Sequence, residues 1–250
     1  AIVAKYCIQD CNLVHHLMNK IDVVTGFVEM AKICSVPMNF LVLRGQGIKL
    51  TSFIAKKCRE KGTLMPVVEK VISGPPRPGA TWDGYDGAIV LDPKCDLYLD
   101  KPVACVDYAS LYPSSIIEKN ISHETHIEDH SLLPLIGKDN YHEVEYQNWI
   151  YINTGKGDTI EKKLGDGTTK CYFLKPEYMK GKGMVSEEEP LGIIPAVLNH
   201  LLTARSETKK LMKEQPDEFK KKVLDGLQLA YKVTANSVYG QLGARTSTIF

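Results

Sequence analysis

The sequence contains no unbroken apolar run of the length that a membrane-spanning helix needs, so a helical membrane span is excluded. None of its seven cysteines forms a Cys-x-x-Cys pair. Such an odd, scattered set fits a reducing compartment and offers neither a disulfide framework nor a spaced zinc motif. There is no low-complexity tract and no internal repeat, which argues against compositional disorder and against solenoids. No sign of charge prevails: Lys and Arg total 31, Asp and Glu 30, and the net charge is +1. Bulk charge therefore gives no hint of a nucleic-acid partner. Neither an initiator Met nor a signal peptide opens the chain; Ala1 to Asp10 reads as the middle of a helix, so the protein is expected to begin upstream.

What remains is an ordinary globular composition over 250 residues, 44% hydrophobic and 24% charged, which supports a buried core. Charge is uneven locally. Between Arg205 and Arg245 there are nine Lys or Arg against five Asp or Glu, a count that by itself describes a solvated helix face.

Residues 2–34 read as helical, with Tyr6, Leu13, Leu17 and Val24 at mixed helical spacing, up to a break at Ser35-Val36-Pro37. A second helical stretch is predicted from near Gln46 to about Glu60, with Gly62 as its stop. Residues 72–87 are rich in Gly and Pro and read as a linker at a domain boundary. Beyond it, Ala88–Leu91 and the apolar run Val103–Val106 read as strands. Trp149–Ile152 and Cys171–Leu174 are predicted to flank a hairpin loop containing Gly165-Asp166-Gly167. Two long helices, roughly Pro195–Glu214 and Pro216–Tyr239, close the pattern. Pro216 suits a first helical turn and Gly240 a C-terminal stop. Their short connection implies an antiparallel pair.

Two segments carry chemistry. Asp107 ends the Val103–Val106 run, where a carboxylate exposed at a sheet edge can hold a hard cation such as Mg²⁺. Ser110 and Pro113 stand where a helix should start, so free backbone N–H groups there could bind phosphate oxygens. By itself one Asp at a strand end reads more readily as a helix cap or turn residue than as a metal ligand. In the second segment Lys232, Asn236 and Tyr239 fall at i, i+4 and i+7 and share one helical stripe. On the preceding helix Arg205 and Lys209 are i, i+4. If the two helices pack antiparallel, their cationic faces can converge on one polyanion, and an Arg fork suits phosphate oxygens.

The string DYASLYPSSIIEKN at 107–120 resembles the first polymerase motif of family B DNA polymerases, and KVTANSVYG at 232–240 is similar to their second. LLTARSETKK at 201–210 looks like the segment that opens their fingers domain. YDGAIVLDP at 85–93 resembles their link between exonuclease and polymerase domains, and RGQGIK at 44–49 also has a counterpart. Tyr6 and Asp10 match the Tyr-x-x-x-Asp of the third proofreading motif. Ordered motifs at compatible spacings make a specific signal. The likeness is to the delta-like, replicative branch, large DNA viruses included, and is weakest over 127–190.

This resemblance implies a mixed α+β fold within the α/β class. Residues 1–71 would end an exonuclease domain, with 72–87 as linker and 88–194 as a partial palm with a mixed sheet. Residues 195–240 would form an antiparallel two-helix fingers domain, and 241–250 would return to the palm. It also implies template-directed DNA synthesis with two Mg²⁺ ions, with primer-template DNA and dNTPs as partners and a sliding-clamp processivity factor as a further one. Asp107 and the carbonyl of Tyr108 would serve the metal. Ser110, Leu111, Tyr112, Arg205, Lys209, Lys232, Asn236 and Tyr239 would bind the nucleotide. Tyr112 would exclude a 2′-hydroxyl and Tyr239 would line the nascent base pair. Tyr6 and Asp10 would serve the exonuclease. The family's further metal-binding Asp motif has no match, since no Asp-Thr-Asp occurs. The 250-residue chain is therefore expected to be inactive alone. The rival readings are a non-catalytic, nucleic-acid-binding relative of polymerases and a proofreading-type nuclease. His123, His126 and His130 are spaced like metal ligands, but they lack a fourth ligand and read as a surface loop.

Overall fold

In this computed structural model, which describes residues 2–65, 91–153 and 160–242, helices form wherever apolar residues recur at helical spacing. The N-terminal stretch is two helices rather than one, α1 (Ile2–Lys20) and α2 (Val23–Cys34). The break falls at Asp22, whose backbone is left-handed (φ 52°) and whose carboxylate accepts from Thr25 Oγ1 at 3.0 Å. No Gly or Pro announces this break; the left-handed residue is an Asp, a type that tolerates that conformation better than most. Ser35, also left-handed, ends α2, and α3 (Met38–Leu43) and α4 (Gly45–Lys61) follow. Gly62 closes α4 at φ 68° in the conformation that favours glycine, as its position in the sequence predicts.

The linker 72–87, residues 88–90 of the first expected strand and residues 243–250 lie outside the described residues. The other expected strand is not one: Val103–Val106 is extended chain outside any sheet, with Val106 92% exposed. An apolar run becomes a strand only where another strand completes its ladder, and among the described residues none does. Next come α5 (Leu111–Glu118), α6 (Leu133–Ile136) and a two-stranded antiparallel hairpin, β1 (Tyr141–Asn153) with β2 (Ile160–Leu174). The hairpin is longer than predicted. Gly165-Asp166-Gly167 lies within β2 at the register shift, where Gln147 pairs with Thr168 and Trp149 with Leu164. Glycines inside a strand mark such a bulge as readily as they mark a turn.

After α7 (Pro176–Gly181), the helices α8 (Ile193–Glu214) and α9 (Glu218–Leu242) pack along each other across a three-residue connection. Pro216 precedes α9 and is not in its first turn. Asp217 caps that helix by accepting from the Phe219 and Lys220 N–H groups at 2.8 and 3.1 Å. Gly240 does not stop α9, which continues to Leu242.

The main core joins the bases of these elements. Leu50, Phe53, Ile54 and Cys58 of α4 and Ile116 of α5 pack with Ile193, Ile194, Val197, Leu198 and Leu201 of α8 and with Ala235 and Val238 of α9. A second cluster seats Met30, Cys34, Val36 and Leu41 against Ala230 of α9. Burial pushes the Cys34 thiol up, although Thr234 and Lys49 beside it act the other way. The mixed helical and small-sheet composition agrees with the predicted fold class.

Candidate nucleotide site

Two sequence segments meet through a pair of aromatic rings 127 residues apart in the chain. Tyr112 is in the first turn of α5 and Tyr239 in the last turns of α9. Their centroids are 4.1 Å apart and the rings are 7° from parallel. Close stacking of this kind adds roughly 0.5–1.5 kcal/mol beyond the area it buries. α5 also packs on both α8 and α9, so the stack rests on a buried base.

From this stack the stripe predicted on α9 climbs away. Asn236 and Lys232 are exposed, and helix geometry puts Lys232 about 10 Å from Tyr239 along the axis. One turn further, Gln228 Oε1 accepts from Arg205 Nε at 3.3 Å, which joins the α8 cation to the α9 stripe. Gln228 was not among the predicted residues. Its spacing, four before Lys232 on the same face, was the available signal. Lys209 lies one turn beyond Arg205 on α8 and is exposed.

At the other end Ser110 is left-handed (φ 55°) and precedes the first turn of α5, where Leu111 and Tyr112 carry N–H groups that no intrahelical acceptor reaches. Asp107 and Tyr108 stand in the extended, exposed segment before it. Among the described residues no group of three or more His, Cys, Asp or Glu side chains could hold a metal ion. Asp107 is an accessible hard ligand, but these residues alone do not fit the two-ion centre expected from the sequence. Tyr6 (67% exposed) and Asp10 share a face of α1, a helix with no buried residue.

The histidine segment is a loop that is exposed only in part: His130 is exposed, while His123 and His126 are half-buried. Asn120 and Thr125 are fully buried and Ser122 is nearly so. The rings of His126 and His130 lie against Phe173 and Tyr172, and His123 Nε2 is 3.2 Å from the Leu64 carbonyl. The three do not converge on one point.

A family model described as DNA polymerase family B matches residues 36–250. The chain is 44% identical over 269 residues to a DNA polymerase of Phaeocystis pouchetii virus, covering 99% of this chain and 24% of that one. It is 34% identical over 242 residues to the DNA polymerase delta catalytic subunit of Caenorhabditis elegans, covering 97% of this chain and 18% of that subunit. In fold it is similar to the family B DNA polymerase of Pyrobaculum calidifontis, with a TM-score of 0.57 at 24% identity over 94% of this chain and 24% of that structure. The fold is thus of the family B DNA polymerase kind, and the match over residues 36–250 shows that the chain belongs to DNA polymerase family B. It spans about a quarter or less of the length of these relatives.

Proposed function

We propose that the protein carries out template-directed DNA synthesis, transferring a nucleotidyl group from a dNTP to a primer 3′-hydroxyl, and that this chain supplies its incoming-nucleotide pocket. The Tyr112–Tyr239 stack carries the reading, because it joins the segment after Asp107 to the stripe holding Lys232 and Asn236. Arg205, Lys209 and Lys232 hold the triphosphate as cations, with Asn236 beside them. The N–H groups of Ser110, Leu111 and Tyr112 receive further phosphate oxygens at the start of α5.

Tyr112 packs against the sugar and leaves no room for a 2′-hydroxyl. Tyr239 lies under the nascent base pair. Selection by shape suits an enzyme that must accept all four bases. Asp107, with the Tyr108 carbonyl, is this chain's contribution to a Mg²⁺ centre that other segments complete. Tyr6 and Asp10 belong to the proofreading exonuclease, where Tyr6 orients water and Asp10 binds metal. Residues 1–71 close the exonuclease domain, 88–194 form part of the palm and 195–240 the fingers. Primer-template DNA and dNTPs are the partners, with a sliding clamp as the processivity factor.

The test is primer extension on a defined template with all four dNTPs, run on the full-length protein and on the 250-residue chain. Templated extension by the former and none by the latter is expected. DNA binding without extension by the full-length protein would instead identify a non-catalytic relative, and 3′ degradation alone would identify a nuclease. Extension by the short chain would refute its incompleteness.

A further inference from the structure

The start of α8 is held by a different segment of the chain. A helix leaves its first N–H groups without intrahelical acceptors. Here Asn120 Oδ1 accepts from Gly192 N at 2.9 Å, Glu124 Oε1 accepts from Ile193 N, and Ser122 Oγ accepts from Ile194 N at 3.3 Å. The next residue, Pro195, has no N–H to satisfy. Ser122 Oγ in turn donates to Glu124 Oε2 at 2.6 Å, and Thr125 Oγ1 donates to the Asn120 carbonyl at 2.6 Å. The Asn120 amide donates to the Leu174 carbonyl at the end of β2, at 2.8 Å. One fully buried side chain thus ties the exit of α5, the end of the hairpin and the entrance of α8. Its own backbone is left-handed (φ 54°), which asparagine tolerates better than most residues. A carboxylate at a helix N-terminus is also favoured by the helix dipole.

The consequence is geometric. Arg205 lies 12 residues beyond Ile193 and Lys209 lies 16 beyond, so they stand about 18 and 24 Å up the helix from this anchor. A tilt of about 5° at the anchor displaces them by about 1.5–2 Å, enough to spoil a phosphate contact. The anchoring residues follow α5 directly, and α5 follows Asp107. One short segment therefore carries both the carboxylate and the clamp that aims the cations.

We infer that Asn120, Ser122 and Glu124 are positioning residues that set the tilt of α8, and with it the placement of Arg205 and Lys209 on the incoming nucleotide. This rests on the polymerase reading above. None of the three touches substrate; they act through the helix.

The experiment measures the KM for dNTP and the Kd for primer-template in the full-length protein. Glu124→Ala removes the acceptor for Ile193 N–H, while Glu124→Gln keeps one. The alanine variant is expected to raise KM about tenfold with DNA affinity unchanged, and the glutamine variant to stay within about twofold of wild type. A purely structural role would lower the active fraction and leave KM unmoved, which overturns the inference. So would a KM in Glu124→Gln as high as in Glu124→Ala. Should Glu124→Ala not fold, Ser122→Ala removes the contact to Ile194 N–H and the bond that steadies Glu124 Oε2, leaves the Glu124 contact to Ile193 N–H in place, and its dNTP KM decides in the same way. Wild-type protein that extends no primer sinks the polymerase reading and this inference together. Active wild-type protein with an unmoved KM in the alanine variant sinks the inference alone.

Discussion

Gly192 admits no side chain. A Cβ there would lie 2.8 Å from Thr125 Cγ2 and 2.9 Å from both Glu124 Oε1 and Ser122 Cβ. Ser122 and Thr125 are buried, so these atoms cannot swing aside into solvent. Gly192→Ala must therefore push the start of α8 away from the segment that caps it. Overpacking of this kind costs about 1–3 kcal/mol. The bonds from the displaced N–H groups of Gly192, Ile193 and Ile194 to their side-chain acceptors would lengthen as well, at about 1 kcal/mol for the three together. The joint expectation is a local loss of about 2–4 kcal/mol, or roughly 30- to 1000-fold in an opening equilibrium. Native-state hydrogen exchange reads that equilibrium directly. The amides of Ile193 and Ile194 should exchange faster by a factor in that range in Gly192→Ala, while those in the middle of α9 change far less. Unchanged protection at Ile193 and Ile194 would refute the close approach and the capping that depends on it.

Three further outcomes are expected. Lys232→Ala should raise the KM for dNTP by about tenfold or more while primer-template affinity holds, as for loss of a charged contact worth about 1.5–3 kcal/mol; a fall in DNA affinity instead would misplace the lysine. Tyr112→Ala should admit ribonucleotides in single-nucleotide incorporation assays, and unchanged sugar discrimination would remove the steric role. His142 on β1 is pushed below its ordinary value of 6.5, first by burial and then by Lys119 and Lys175, with Glu118 and Glu177 opposing. The folded state thus favours the neutral ring: its contribution to stability is complete above the unfolded value and is lost as pH falls through the lower folded value. Exchange at the Phe173 amide, opposite His142 in the hairpin, should quicken on acidification in wild type and less so in His142→Phe; equal pH dependence in both would contradict this.

Features whose signals are local were legible in the sequence. The stripe Lys232–Asn236–Tyr239 needs only the period of a helix, and Gly62 needs only the conformation of a helix end. The meeting of Tyr112 with Tyr239 required the resemblance between their segments, because nothing near either residue names the other. Features depending on distant partners were not legible. Asn120, Ser122, Glu124 and Thr125 are short polar residues that look solvated until Gly192 and Ile193, some 70 residues away, bring bare N–H groups to them. Their one local trace is the turn chemistry of Ser122-His123-Glu124-Thr125, together with a glycine just before an apolar helical run. Val103–Val106 misled in the opposite sense: its β-branched composition favours a strand, but strand formation belongs to the pair and not to the run. The split at Asp22 was hidden because a left-handed Asp marks it and not a Gly or Pro.

The central claim is that the Asp107 segment and the α8–α9 stripe form one nucleotide pocket. It is tested most directly by single-turnover incorporation of one dNTP by full-length Asp107→Asn, with dNTP and primer-template affinities measured alongside. An isosteric amide removes the charge and keeps the shape. Incorporation should fall by at least about a thousandfold, as for loss of a principal electrostatic contact in a transition state, with DNA binding and folding intact. Turnover within tenfold of wild type would take Asp107 out of the reaction and contradict the account.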